Sequence, residues 1–187
     1  MPIRLLRAEE LAEIDQVFGP GLDITRVRVN EGSPLPNFIG RVGAALRGVK
    51  PPEHNAITLR NTVYFPIVLV THQPQHPSWL RDMAWLMHEL THAWQYQHDG
   101  IIYLYQAIFK SPTYQYVPAG QSQDEALKGF SKAGKLFRDF NREQQGDIVR
   151  DYYYYLTQNA DVSAWEPYLK ELHELPAHKE RQRTTGR

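Results

Sequence analysis

Cysteine is absent from the 187-residue sequence. Its absence excludes disulfides, thiolate metal sites and cysteine nucleophiles, so a transition-metal site would have to use histidine, aspartate and glutamate. An excess of charge is also missing, because 21 lysines and arginines balance 21 aspartates and glutamates. A chain with no net charge offers no basic field for phosphates, and we therefore expect no nucleic-acid partner.

Long hydrophobic runs are missing as well. The longest ones, such as FPIVLV at 65–70, are far shorter than the roughly 20 residues that cross a bilayer. The N-terminal segment MPIRLLRAEELAEIDQVFG has charged residues every few positions, and it therefore lacks the apolar stretch of a secretory signal. We expect a protein without a membrane span that is made in the cytoplasm without a classical signal peptide. Export would then need a dedicated secretion system.

The sequence patterns favour an α+β fold. With 42% hydrophobic residues the chain can bury one core, and we expect one domain over 1–175 followed by a disordered polar tail over 176–187. Alternation predicts a strand at 23–30 and either a hairpin or one bent strand at 56–65. A loop that could border a site is expected at 111–122. Helices are predicted at 5–18, 38–46, 79–97, 123–138, 141–157 and 163–174.

The stretch WLMHELTHAWQYQHDG at 85–100 places an H-E-x-x-H pattern inside a predicted helix. His88 and His92 are four residues apart, so they share one helix face and can bind one ion from consecutive turns. Glu89 lies about 100° around the helix, where its carboxylate can take a proton from water and later deliver it to a leaving amine. The pattern predicts a hydrolytic Zn²⁺ site with Glu89 as general base and then acid. The alternative is a chance pair of solvated or core histidines.

A catalytic zinc ion commonly has three protein ligands, and His98 is one option for the third. It follows His92 by six residues, as in the longer pattern H-E-x-x-H-x-x-G-x-x-H. That pattern needs a glycine where this chain has Gln95, and no methionine follows Met87 to form the accompanying methionine turn. His98 is therefore the less favoured option.

A carboxylate in the stretch NREQQGDIVRDYYYYL at 141–156 is the favoured third ligand. Glu143 and Asp147 are four apart on a predicted helix, so both face one way. Glu143 can then bind zinc while Asp147 accepts a hydrogen bond from the outer nitrogen of a zinc histidine. Glu125 is a further option, but it lacks an acidic residue four positions later.

A hydrolytic site also needs a hydrogen-bond donor for the developing oxyanion. Tyr116, Tyr154 and His173 are candidates. We select Tyr154 as a catalytic residue because it lies roughly on the helix stripe that carries Glu143 and Asp147.

These residues resemble the active sites of zincins, specifically the gluzincins, whose third ligand is glutamate and whose familiar members are the thermolysin-like peptidases. The chain also resembles a group of bacterial zinc peptidases found with contractile injection systems and VgrG-related proteins. The separation between His92 and Glu143 is longer than in thermolysin-like enzymes. The segments similar to the second group occur in the same order and are VFGPGLDITRVRV (17–29), ITLRNTVYF (57–65), MHELTHAWQYQ (87–97) and EQQGDIVRDYY (143–153).

The resemblance implies a zincin-like domain, in which a small mixed sheet packs on the H-E-x-x-H helix and further helices follow. An edge strand within 56–65 would lie beside that helix and bind extended substrate by strand addition. Residues and resemblance together favour a zinc-dependent metallopeptidase that acts on a peptide or protein and has a secretion apparatus as partner. Two alternatives stay open: a non-catalytic, zinc-stabilised accessory domain of such an apparatus, and an amidase acting on cell-wall peptides.

Overall fold

A computed structural model describes residues 3–48, 55–100 and 115–174. The tail expected to be disordered, 176–187, and residues 111–114 of the expected loop lie outside the described residues. The described elements combine helices with a small sheet, which confirms the α+β prediction. The helices are α1 (Ala8–Phe18), α2 (Leu35–Arg47), α3 (Trp79–Asp99), α4 (Gln123–Lys132), α5 (Arg142–Thr157) and α6 (Glu166–Leu169), and the strands are β1 (Arg28–Asn30), β2 (Ile57–Leu59) and β3 (Thr62–Tyr64).

The sheet is mixed and has the strand order β1-β3-β2. Strand β1 runs parallel to β3, with Val29 beside Val63, and β2 runs antiparallel to β3, with Thr58 beside Val63. Leu59 pairs with Thr62 across a two-residue turn that begins at Arg60, whose φ of 58° suits a tight hairpin. The segment 56–65 is therefore a hairpin rather than one bent strand, and β2 lies at an edge of the sheet.

The predicted strand at 23–30 is wrong in its first half. Ile24–Arg26 forms a 3-10 turn, and the strand begins only at Arg28. Asp23 explains the difference, because its carboxylate accepts a hydrogen bond from Thr25 Oγ1 at 2.6 Å and its backbone N–H donates to Gln97 Oε1 of α3 at 2.7 Å. These contacts turn the chain before it enters the sheet.

Two predicted C-terminal helices are also shorter than expected. Instead of continuing to 138, α4 stops at Lys132, because Gly134 adopts a φ of 77° and the N–H of Lys135 donates to the carbonyl of Phe130. This pairing is the Schellman arrangement that ends many helices. The helix predicted at 163–174 divides into α6 and a 3-10 turn at Lys170–His173.

Helix α3 lies in the core and contacts α5, β2 and β3. It has 21 residues and ends at Asp99, because the following residue, Gly100, adopts a φ of 70° that breaks the helix. In the described part of the chain, every helix is too short or too polar to span a bilayer. Buried polar side chains need hydrogen-bond partners, so those of α3 must find them on neighbouring elements. The buried polar residues of α3 are Asp82, His88, Glu89, Thr91, His92 and Gln95.

Candidate metal centre

Two imidazoles from α3 meet one carboxylate from α5. His88 Nε2 lies 3.3 Å from Glu143 Oε2, and His92 Nε2 lies 3.6 Å from Glu143 Oε1. The three side chains are only 11%, 8% and 16% exposed, respectively. Ligand atoms of His88, Glu89 and His92 also lie within 4.8 Å of one another. The structure thus brings the predicted ligands together, and two imidazole nitrogens with a carboxylate are a donor set that suits zinc.

The outer nitrogen of His88 has the partner that the sequence predicts. His88 Nδ1 lies 3.0 Å from Asp147 Oδ1, and Arg150 Nη1 holds the same carboxylate oxygen at 2.5 Å. An ionised carboxylate can only accept, so Nδ1 is the donor to Asp147, and in the neutral ring the lone pair is therefore on Nε2, the nitrogen beside Glu143. Asp147 therefore fixes the orientation of the His88 ring.

The outer nitrogen of His92 has a partner that sequence reasoning missed. His92 Nδ1 lies 2.9 Å from Oε1 of Gln95, which is fully buried. In the sequence analysis, Gln95 was considered only as the residue that stands where the longer histidine pattern needs a glycine. Its spacing of three residues from His92, on the same helix face, is the signal that could have found it.

Gly146 lies directly against the His88 ring and was also missed. A Cβ atom at this position would stand 2.7 Å from His88 Cε1 and 2.9 Å from both ring nitrogens. Real Cβ contacts are never that short, so only glycine lets α5 approach the imidazole here. Glycine costs about 1 kcal/mol in a helix interior relative to alanine, and this close approach accounts for its presence in α5.

Glu89 is held by a residue of the edge strand β2. Thr58 Oγ1 lies 2.8 Å from Glu89 Oε2 and 3.0 Å from the Glu89 carbonyl oxygen, and both residues are buried. The edge strand within 56–65 therefore lies beside the motif helix, as the resemblance implies. Sequence reasoning gave no role to Thr58, because its contact depends on how the sheet packs against α3.

The electrostatics of the cluster favour bound positive charge. Burial opposes protonation of His88, but hydrogen bonds to Asp147 and Glu143 outweigh it and raise the pKa of His88 to about 10. Burial also opposes protonation of His92, whose pKa is nonetheless raised by the charge of Glu143. The pKa of Glu143 is lowered, because the two imidazoles outweigh its burial. Protons and a divalent ion would thus compete for the same nitrogens.

The two other options for a third ligand lie elsewhere. His98 Nε2 is 3.1 Å from the carbonyl oxygen of Gly21, and its ring stacks on Trp94 with centroids 4.2 Å apart. Glu125 accepts a hydrogen bond from the backbone N–H of Ser122 at the start of α4, at 3.1 Å. Both side chains are therefore engaged in local structure, and of the three options for a third ligand Glu143 is the one beside the histidines.

The three candidate oxyanion donors have other partners or positions than the histidine cluster. His173 Nε2 lies 3.1 Å from the Val17 carbonyl oxygen, and Tyr116 donates to Asp151 Oδ2 at 2.9 Å. Tyr154 is 42% exposed and follows Asp147 by seven residues, which is about 10 Å along the axis of α5. Its catalytic role stays a prediction.

A cavity of about 660 Å³ is lined by the same two helices that carry the histidines and Glu143. The α3 residues that line it precede His88 by three to seven positions, and those from α5 follow Asp147 by three to eight. The lining is largely apolar and aromatic, which suits a bulky apolar group. The lining residues are Ile67, Arg81, Ala84, Trp85, Gln123, Arg150, Asp151, Tyr154 and Tyr155.

Comparison with known proteins gives a partial relative. Over 90 residues, or 46% of this chain, the sequence is 36% identical to the type VI secretion system spike protein VgrG2b of Pseudomonas aeruginosa. The matched segment is 8% of that protein, so this chain corresponds to a small part of it. No protein-family profile matches the chain, and no solved structure matches it. The chain is therefore similar, over nearly half of its length, to part of a secretion-system spike protein.

Proposed function

We propose that this protein is a zinc-dependent metallopeptidase of the zincin type. The observation that carries the proposal is the meeting of His88 Nε2 and His92 Nε2 with the carboxylate of Glu143, next to a second buried carboxylate, Glu89. Three protein ligands are typical of catalytic zinc sites, whereas structural sites are usually closed by four. Gly146 supports the fit, because α5 makes room for the His88 ring with a residue that has no side chain.

In the proposed reaction, the residues of this chain would have separate roles. A zinc ion held by His88, His92 and Glu143 would supply an acidified water molecule and polarise the scissile carbonyl. Glu89 accepts the proton and returns it to the leaving amine. Thr58 donates to Glu89 Oε2 and holds that carboxylate in place. Burial of Glu89 keeps bulk water from competing for the proton.

A peptide substrate is supported by the surroundings of the cluster. Strand β2 is an edge strand that touches the motif helix, so an extended peptide can add to it through backbone hydrogen bonds. The apolar cavity between α3 and α5 can take a bulky side chain of that peptide. Tyr154 lines this cavity; its role as oxyanion donor stays a prediction, and Tyr154→Phe tests it, because removing such a donor lowers kcat about a hundredfold.

The similarity to VgrG2b supports a secretion-system context. We propose that the chain is made in the cytoplasm and exported by such a system, with the apparatus as its partner. The same similarity favours the second candidate function, a non-catalytic zinc-stabilised domain of the apparatus, because the relative is named as a spike protein.

Zinc content and peptide cleavage together test the proposal. We expect purified protein to hold about one zinc ion per chain and to cleave a peptide library. Glu89→Gln should keep the zinc and lose cleavage, because it removes the proton acceptor and spares the ligands. Glu9→Gln, an exposed glutamate on α1, is the matched control and should change neither. Zinc binding without cleavage by the wild type would favour the non-catalytic domain, and cleavage by Glu89→Gln would assign the base elsewhere.

A further inference from the structure

Two buried glutamine side chains connect His92 to the turn before α5. Gln95 on α3 and Gln145 on α5 are 0% and 2% exposed, and Gln95 Nε2 lies 2.8 Å from Gln145 Oε1. Gln145 Nε2 reaches the carbonyl oxygens of Phe137 and Phe140 at 3.0 and 3.2 Å. The amide pair therefore ends on backbone carbonyls, which can only accept hydrogen bonds.

The carbonyls fix the direction of every hydrogen bond in this chain of contacts. Because Phe137 and Phe140 offer only acceptors, both N–H groups of Gln145 must point at them, and its Oε1 must accept from Gln95. The second N–H of Gln95 points at the Arg142 carbonyl oxygen at 3.1 Å. Turning either amide over would place oxygen against oxygen in a buried site, which is strongly unfavourable.

This direction determines the protonation of His92. The remaining group of Gln95 is Oε1, which lies 2.9 Å from His92 Nδ1 and cannot donate. Nδ1 must therefore carry a hydrogen, and in the neutral ring the lone pair then lies on Nε2, the nitrogen that faces Glu143.

We propose that Gln95, held in orientation by Gln145, is the positioning residue that fixes His92 as the Nδ1–H tautomer and presents its Nε2 to the metal ion. The inference rests on the metal-binding part of the proposed function and does not depend on peptide cleavage. It gives the two histidines different supports: a carboxylate, Asp147, for His88 and a neutral amide for His92.

Zinc affinity of the full chain, measured by competition with a chromophoric chelator, tests this role. Gln95→Met keeps the volume and removes the acceptor, and we expect the zinc Kd to rise about 10- to 100-fold. Gln95→Glu restores an acceptor for Nδ1–H while it disturbs the contact to Gln145, so it should lower stability yet keep the zinc Kd near the wild-type value. Gln145→Met should raise the Kd less than Gln95→Met does, because Gln95 keeps its bond to the Arg142 carbonyl.

Gln97→Met is the matched control, since Gln97 is also on α3 but bonds to Asp23 and Asn61. It should leave the zinc Kd unchanged even where it lowers stability. In ¹⁵N-labelled, zinc-loaded protein, the Nδ1–H proton of His92 should exchange slowly in the wild type and in Gln97→Met, and rapidly in Gln95→Met. A purely structural role would give no rescue by Gln95→Glu and no specific change in this proton.

An unchanged zinc Kd in Gln95→Met overturns the assignment, and an unchanged Kd in Gln145→Met overturns the part given to the second amide. If Gln95→Met does not fold, Gln145→Met and Gln95→Glu decide the question. Zinc binding that depends on Gln95 in a wild-type protein that cleaves no peptide would contradict the peptidase and support this inference. A wild-type chain that binds no zinc contradicts both.

Discussion

At the scale of the residue, the proposed metal centre depends on how closely α5 can approach one imidazole. Asp147 fixes the outer nitrogen of His88, and Gly146 leaves the space that the ring fills. A side chain at position 146 would compete for that space with a ring that is already held in place. The hydrogen atom of Gly146, in place of a methyl group, therefore lets the His88 ring keep its contacts with Glu143 and Asp147.

Gly146→Ala should therefore weaken zinc binding although alanine is the better helix former. The new methyl would push the His88 ring away from Glu143 and Asp147, and we expect the zinc Kd to rise at least about tenfold. Gly129→Ala in α4 is the matched control, because a Cβ there meets nothing within 4 Å. That control should stabilise the protein by up to about 1 kcal/mol and leave the zinc Kd unchanged. Equal Kd values in chelator competition for both variants would contradict the role of Gly146.

At the scale of the element, the motif helix α3 is contacted by two neighbouring elements, α5 and β2. Helix α5 supplies Glu143, the proposed third ligand, and β2 supplies the hydroxyl of Thr58 to Glu89. The sequence could predict the contacts within one helix, because the spacing of His88 and His92, and that of Glu143 and Asp147, is fixed by the helix repeat. It could not predict Thr58 and Gly146, whose roles arise where segments distant in the chain pack together. The prediction of a strand at 23–30 was wrong in its first half for a related reason. Asp23 contacts Gln97 of α3, and the chain forms a 3-10 turn there instead of a strand.

Thr58→Val tests whether β2 positions Glu89, the proposed general base. Valine has the same shape as threonine but no hydroxyl, so Glu89 would lose a hydrogen bond and its carboxylate would be less well placed. We expect kcat for peptide cleavage to fall roughly tenfold, equivalent to about 1.4 kcal/mol, with unchanged zinc content. Thr91→Val is the control, because Thr91 donates only along its own helix, to Met87 O at 2.9 Å. A kcat equal to that of the control would show that Thr58 does not position the base.

At the scale of the whole molecule, a buried ion network joins segments that lie apart from the metal centre. Glu10 in α1 accepts hydrogen bonds from Arg4 Nη2 at 2.7 Å and from Thr71 Oγ1 at 2.5 Å, and Arg4 also reaches Glu31 at 2.8 Å. Burial favours the neutral form of Glu10, but the hydrogen bonds from Arg4 and Thr71 outweigh it and lower its pKa below 4.5. The network ties the N-terminal segment to the end of β1 and to the chain before α3.

This lowered pKa predicts the sign of a pH effect on stability. The ionised form of Glu10 stabilises the fold above pH 4.5, and that contribution is lost as the pH falls through the folded-state pKa. Glu10→Gln should therefore lower the free energy of unfolding at pH 7 by roughly 2 kcal/mol, and the difference from wild type should shrink below about pH 4. Urea denaturation at both pH values, with Glu9→Gln as control, measures it. A difference that does not depend on pH would contradict the role given to the charge.

The proposed ligands stand on two helices, α3 and α5, that meet side by side. An intervening segment that returns the chain from the end of the first helix to the start of the second, and that keeps the carbonyls of Phe137 and Phe140 beside Gln145, would preserve them whatever its length. The long separation between His92 and Glu143 is then no obstacle to the chemistry. It also means that searches keyed to a fixed loop length would overlook relatives of this kind.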